Sequence, residues 1–165
     1  MLKNFRLRLY LETTVFNYFF DERKGHEDVV KLFEAIKAGK FKGYTSQYVI
    51  DELKRANEPK KTNMLSLIED YGIIILEPSS EAEDLAREYI NYGIIPNSHF
   101  YDSVHVATAA VNDIEFIVSY NFHHINRNKT KLNMSLINMA RGYDLVNICT
   151  AEEVLKYAAN VSRSD

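Results

Sequence analysis

Four residues combine an oxygen-donor side chain with a place that needs none to build a core: Glu12, Glu52, Asp102 and Asn121. Glu12 follows Leu7–Leu11, where Leu7, Leu9 and Leu11 alternate with Arg8 and Tyr10 at the period of a strand. That strand stops at Glu12-Thr13-Thr14, and Thr13 or Thr14 can cap a helix over Val15–Phe20. Glu52 rides a short helix over Gln47–Arg55, opened by Thr45 or Ser46. Asp102 lies in the first turn of a helix over His99–Val111 that is apolar on most sides and therefore predicted to be buried. Asn121 ends the strand Phe116–Ser119. In an open α/β sheet, ligands bind just beyond the carboxyl ends of the strands, where Glu12 and Asn121 are expected.

The chemistry of such a set is that of a hard cation. A carboxylate in a mostly apolar helix is costly unless it is paired or bound to metal, and no lysine or arginine lies within helical reach of Asp102. Crowded carboxylates repel one another, and a divalent cation reverses that penalty. Carboxylates, one amide and water make an oxygen-only shell suited to Mg²⁺ or Mn²⁺. An ion so held can activate water and screen a phosphodiester during hydrolysis.

The elements that must position these residues read in order as follows. Helices are expected over His26–Ala38, from Pro59 to Gly72, from Ser80 to about Asn91, over Lys129–Arg141 and from Thr150 to about Ala159. A very short strand is expected around Tyr44, and others over Ile73–Leu76 and Leu145–Cys149. Strands alternating with helices imply an α/β fold with a central parallel sheet of about four or five strands and right-handed crossovers. The chain reads as a single domain over residues 1–159, with 160–165 as a disordered tail.

Composition narrows the function classes. With 20 basic and 23 acidic residues, a net charge of −3, the chain lacks the basic excess of a protein that grips duplex nucleic acid through a broad face. No apolar run is long enough to span a bilayer and no leader pattern is visible. The one cysteine, Cys149, sits in an apolar run and reads as a buried thiol, which fits a reducing, cytoplasmic setting.

Four segments, LYLETTVFNYFF, TSQYVIDELKR, FYDSVHVATAA and FIVSYNFHHI, occur in an order and at separations that resemble the PIN-domain family. That family of small metal-dependent ribonucleases includes the VapC toxins of toxin–antitoxin pairs. The resemblance implies a three-layer α/β/α domain and an Mg²⁺ or Mn²⁺ cofactor. It implies RNA, single-stranded or structured, as substrate, an antitoxin protein as partner, a homodimer, and no membrane association. It matches Glu12 to the family's first acid, Glu52 to the second, Asp102 to the third and Asn121 to the fourth position. Two positions depart from the pattern. Glu12 stands where aspartate is usual and is one methylene longer. Asn121 stands where aspartate is frequent, which leaves three formal charges and weakens a second metal position. Glu12→Asp is expected to keep or improve cleavage, since aspartate fits family-like surroundings; it would fall short only where the surroundings have moved to suit glutamate.

Thr13 and Thr14 can hold Glu12 or a water by their hydroxyls, or cap the helix. His105, one turn from Asp102, can orient it or sit in the core. Adjacent His123-His124 lack the spaced partners of a zinc site. Asn126 and Arg127 can meet a phosphate, and among the 11 tyrosines and 9 phenylalanines some can stack on bases while most build core or interface. The leading reading is a metal-dependent endoribonuclease, possible toxin of a toxin–antitoxin pair. The alternative is a catalytically weak or inactive PIN-like module that binds nucleic acid or protein. A hydrolase of small phosphorylated molecules has no glycine-rich phosphate loop to support it.

Overall fold

A five-stranded, all-parallel sheet in the order β3-β2-β1-β4-β5 forms the centre of the structure, a computed structural model that describes residues 6–123 and 125–163. The strands are β1 (Leu7–Leu11), β2 (Phe41–Ser46), β3 (Ile74–Leu76), β4 (Phe116–Val118) and β5 (Asn147–Cys149). The helices are α1 (Thr13–Phe20), α2 (His26–Lys37), α3 (Gln47–Leu53), α4 (Lys60–Asp70), α5 (Ser80–Asn91), α6 (Phe100–Val111), α7 (Asn128–Ala140) and α8 (Ala151–Arg163). A 3-10 turn at Asn97–His99 leads into α6.

β1 is the middle strand, paired with β2 through Tyr10 opposite Tyr44 and with β4 through Leu11 opposite Val118. Leu9, Tyr10 and Leu11 are all fully buried. Consecutive buried residues require cover on both faces, which helices supply in an α/β/α arrangement. The alternation of β1 therefore does not mark a solvated face; Tyr10 points into a second core layer. The chain builds β2 and β3 on one side of β1, then crosses through α5 and α6 to place β4 on the other side. The carboxyl ends of β1 and β4 thus face a point where strand order reverses, the usual place for a ligand crevice in such sheets.

Several boundaries differ from the sequence reading. β2 runs six residues rather than a few around Tyr44. Gly43 disguises it: a Cβ there would come within 2.8 Å of the end of the Ile73 side chain and 3.2 Å of Ile36 on α2, so any larger residue would require these side chains to move. Helix α1 starts at Thr13, and Glu12 itself is the N-cap. Ser79, not Ser80, caps α5 by accepting from the Ala82 amide. The predicted tail over 160–165 is helical through Arg163, and Ser164 and Asp165 lie outside the described residues, as does His124. Cys149 is buried as expected, and burial pushes its thiol up to about 12. Among the described residues no helix is long and apolar enough to cross a membrane.

Candidate functional site

Glu12 leaves β1 in an extended conformation and turns its own carboxylate onto the first turn of α1. Both oxygens accept from the Thr14 amide at 3.2 Å. Oε2 also accepts from the Thr14 hydroxyl at 2.6 Å and from the Ser119 hydroxyl at 2.8 Å. Those two hydroxyls in turn accept from the end of β4: Thr14 from the Tyr120 amide at 2.9 Å, Ser119 from the Asn121 amide at 3.1 Å. The carboxylate is therefore stitched between two neighbouring strand ends and is only 4% exposed. Burial pushes the Glu12 carboxyl above its ordinary value, against the pull of Thr14, His105 and Ser119. Desolvation, rather than a neighbouring carboxylate, is the leading cause.

Glu52 reaches the same region from α3. Its Oε2 accepts from the Thr13 hydroxyl at 2.5 Å, and its Oε1 faces His105 Nε2 at 3.2 Å. Burial pushes its carboxyl up, but the hydrogen bonds from His105 and Thr13, with Arg55 nearby, outweigh it and hold it below the ordinary value. Asp102 and His105 share a face of α6 one turn apart. Asp102 faces His99 Nδ1 at 3.3 Å and is partly exposed. Asn121 is exposed, and its backbone is tied through Ser119 to Glu12.

The structure thus brings Glu12 and Glu52 into one bonded network through adjacent Thr13 and Thr14. It places Asn121 beside Glu12 through Ser119, and Asp102 one turn from the histidine that contacts Glu52. Thr14 holds Glu12 as read from the sequence, whereas Thr13 holds Glu52. His105 is buried, and its Nε2 contacts Glu52. Ser119 and Tyr10 went unread, because a serine closing a strand and a tyrosine inside one carry no local signal of their long-range partners.

Among the described residues, no three His, Cys, Asp or Glu side chains stand close enough together to hold an ion in these positions. In kind, the donors fit a hard cation: three carboxylates and an amide, all oxygen. Among the described residues Glu12 Oε1 carries the Thr14 amide at 3.2 Å and no second donor, so lone-pair capacity remains there. A small cleft of about 210 Å³ adjoins Ser119 and is lined by Tyr120, Phe122, His123 and Asn126. A larger cleft, about 530 Å³ between Arg6, Arg8, Lys42, Asp113 and Glu115, contains none of the four residues and lies at the amino ends of β1 and β2.

The PIN-domain family model matches residues 9–129, well over half of the chain. The chain belongs to the PIN-domain family. Two solved structures share the fold of this PIN domain. VapC20 of Mycobacterium tuberculosis, described as a toxin that cleaves the sarcin–ricin loop, has a TM-score of 0.53 at 14% identity, covering 84% of this chain and 98% of that one. VapBC2 of Rickettsia felis, bound to a DNA fragment from its promoter, has a TM-score of 0.52 at 16% identity, covering 74% of this chain and 95% of that one. No curated protein sequence matches the chain.

The opposite shifts of the two glutamates give a pH signature. The folded, metal-free PIN domain binds the Glu12 proton more tightly than the unfolded chain does, so Glu12 ionisation opposes folding. That cost is absent below the usual carboxylate range and grows as pH rises through the raised folded value. Glu52 acts the other way: its ionisation favours folding above the usual carboxylate range, and this is lost as pH falls through its lowered folded value. Glu12→Gln is therefore expected to melt above the wild type near neutral pH, with the gap closing towards acid. A gap that stays constant across pH would assign the effect to packing instead of charge.

Proposed function

We propose that this PIN-domain protein is an Mg²⁺- or Mn²⁺-dependent endoribonuclease, the toxin of a toxin–antitoxin pair. The observation that carries this reading is the buried Glu12 carboxylate, held by hydroxyls from α1 and from the end of β4 at the point where strand order reverses. A fold does not gain by burying an ionisable group against its solvation preference, and such groups concentrate at functional sites. Glu12, Glu52 and Asp102 would hold the ion, and Asn121 would add a neutral oxygen or orient a water. Bound there, the cation supplies activation of water and charge screening at the scissile phosphodiester. Asp102 must turn from His99 to join the set, while Glu12 and Glu52 are already fixed by their hydroxyl partners. Tyr101, next to Asp102 and 65% exposed, offers an aromatic face to a base, and the cleft with Tyr120, His123 and Asn126 receives the neighbouring part of the strand.

The reading includes an antitoxin protein and a homodimer, both resting on the family. Leu132, Leu136 and Met139 stand exposed on α7 and are apolar surface of the kind a protein partner covers. A second reading, a PIN module that binds but cleaves weakly, is favoured by Asn121, whose neutral amide removes a charge from the set.

The test uses mixed-sequence single-stranded RNA. Cleavage is expected with Mn²⁺ and is expected to stop on chelation. The melting temperature is expected to rise with Mn²⁺, because the ion adds about 2.7 kcal/mol of stability when it is a hundredfold above its Kd. Melting that responds to Mn²⁺ without cleavage favours the binding module; neither response sinks the metal reading.

A further inference from the structure

A row of buried polar groups continues behind His105, away from Glu52. Tyr10 on β1 and Ser46 at the end of β2 are fully buried, and His105 on α6 is 2% exposed. The Tyr10 hydroxyl lies 2.7 Å from Ser46 Oγ and 2.5 Å from His105 Nδ1, and His105 Nε2 lies 3.2 Å from Glu52 Oε1. Ser46 Oγ also accepts from the Val49 amide at 3.4 Å, as the cap of α3, the helix that carries Glu52.

Counting donors favours one set of hydrogen-bond directions along this row. Ser46 Oγ already accepts from Val49, so its proton needs an acceptor, and the Tyr10 oxygen is the one within reach. The Tyr10 proton then goes to His105 Nδ1, which must carry a lone pair. The remaining imidazole proton is on Nε2 and points at Glu52. In the reverse direction the Ser46 proton would lack a described acceptor in a fully buried place, a costly state. With every member satisfied, such a row rigidifies the groups it joins. The row ends on a carboxylate that is one-third exposed and whose other oxygen is taken by Thr13.

We infer that Ser46, Tyr10 and His105 form a positioning relay that locks the imidazole with its Nε2–H towards Glu52 and so presents that carboxylate to the cation in a single orientation. This rests on the ribonuclease reading above. Tyr10 and His105 touch neither ion nor RNA; they act through Glu52. Partners of this kind around metal ligands typically carry about 10- to 100-fold in metal affinity.

The test measures Mn²⁺ affinity by electron paramagnetic resonance of the free ion, and the imidazole nitrogens by ¹⁵N resonance, in the full-length protein without RNA. Wild-type His105 is expected to show a protonated Nε2 and a bare Nδ1. Its resonances are assigned by their loss in His105→Asn. That variant keeps a polar group near Nδ1 and loses the one facing Glu52, so Mn²⁺ binding is expected to weaken by about 10- to 100-fold. His105→Gln places an amide nitrogen near the position of Nε2 and is expected to recover most of the affinity, which a role in packing alone would not explain. Tyr10→Phe keeps the ring and frees the tautomer, so it is expected to mix the two imidazole forms and weaken Mn²⁺. It also decides the matter should a His105 variant fail to fold. If Glu52→Gln loses Mn²⁺ while His105→Asn and Tyr10→Phe bind like the wild type, the relay is wrong and the metal reading stands. A wild-type His105 protonated on Nδ1 also overturns the relay. A wild type that binds no Mn²⁺ overturns both.

Discussion

Glu52→Gln and Asp102→Asn are each expected to remove Mn²⁺-dependent RNA cleavage while leaving a folded protein. Each substitution keeps the shape of the side chain and deletes one formal charge. The catalytic contribution of a bound cation is several kcal/mol, so its loss corresponds to a fall on the order of a thousandfold in rate. The two variants should differ in stability. Glu52 is ionised to the benefit of the fold, through His105 and Thr13, so its amide loses stability near neutral pH. Asp102 sits in the first turn of α6, where a negative charge is favourable, and faces His99, so its amide gives up a smaller surface contribution. Rates measured under single-turnover conditions, with melting curves of the same samples, separate the two effects. Cleavage by Glu52→Gln at the wild-type rate would remove Glu52 from the site.

Glu12→Asp is expected to lower both Mn²⁺ affinity and cleavage, by about tenfold or more on the scale of disturbed support around metal ligands. Aspartate keeps the charge, and it is the residue PIN domains commonly carry here. The surroundings of Glu12 are cut for the longer arm. Its Oε2 sits 2.6 Å from the Thr14 hydroxyl and 2.8 Å from the Ser119 hydroxyl on the neighbouring strand end. Shortening the arm by one carbon–carbon bond, roughly 1.5 Å, withdraws the carboxylate from Ser119. The Ser119 hydroxyl, which also accepts from the Asn121 amide, then loses its acceptor in a buried place. Isothermal titration with Mn²⁺ and cleavage assays on the variant check this. Wild-type affinity and rate in Glu12→Asp would mean that Glu12 does not work through the Ser119 and Thr14 hydroxyls.

The parts of this arrangement that were legible in the sequence are those written in short-range pattern. β1 announces itself by its alternating leucines, and an acid directly after a strand and before a helix has few places to go. Asp102 stands out because eight residues of α6 from Ser103 to Ala110 are buried and it is the charge at their margin. What escaped depends on contacts across tens of residues. Ser119 meets Glu12 and His105 meets Glu52 only because strand order reverses between β1 and β4, which no local pattern encodes. Lys42 and Gly43 carry little strand signal, yet they lie in β2, where Gly43 packs against Ile73 and Ile36. What raises Glu12 is burial, not the expected crowding of carboxylates, and the Thr14 and Ser119 hydroxyls pull the other way.

Soaking a crystal of the protein in Mn²⁺ and locating the ion by its anomalous scattering tests the metal site most directly. The predicted result is a peak bonded to oxygens of Glu12, Glu52 and Asp102, with Asp102 turned away from His99 and Asn121 bonded directly or through water. A peak held elsewhere, or none at saturating Mn²⁺ with the four side chains unmoved, would contradict it.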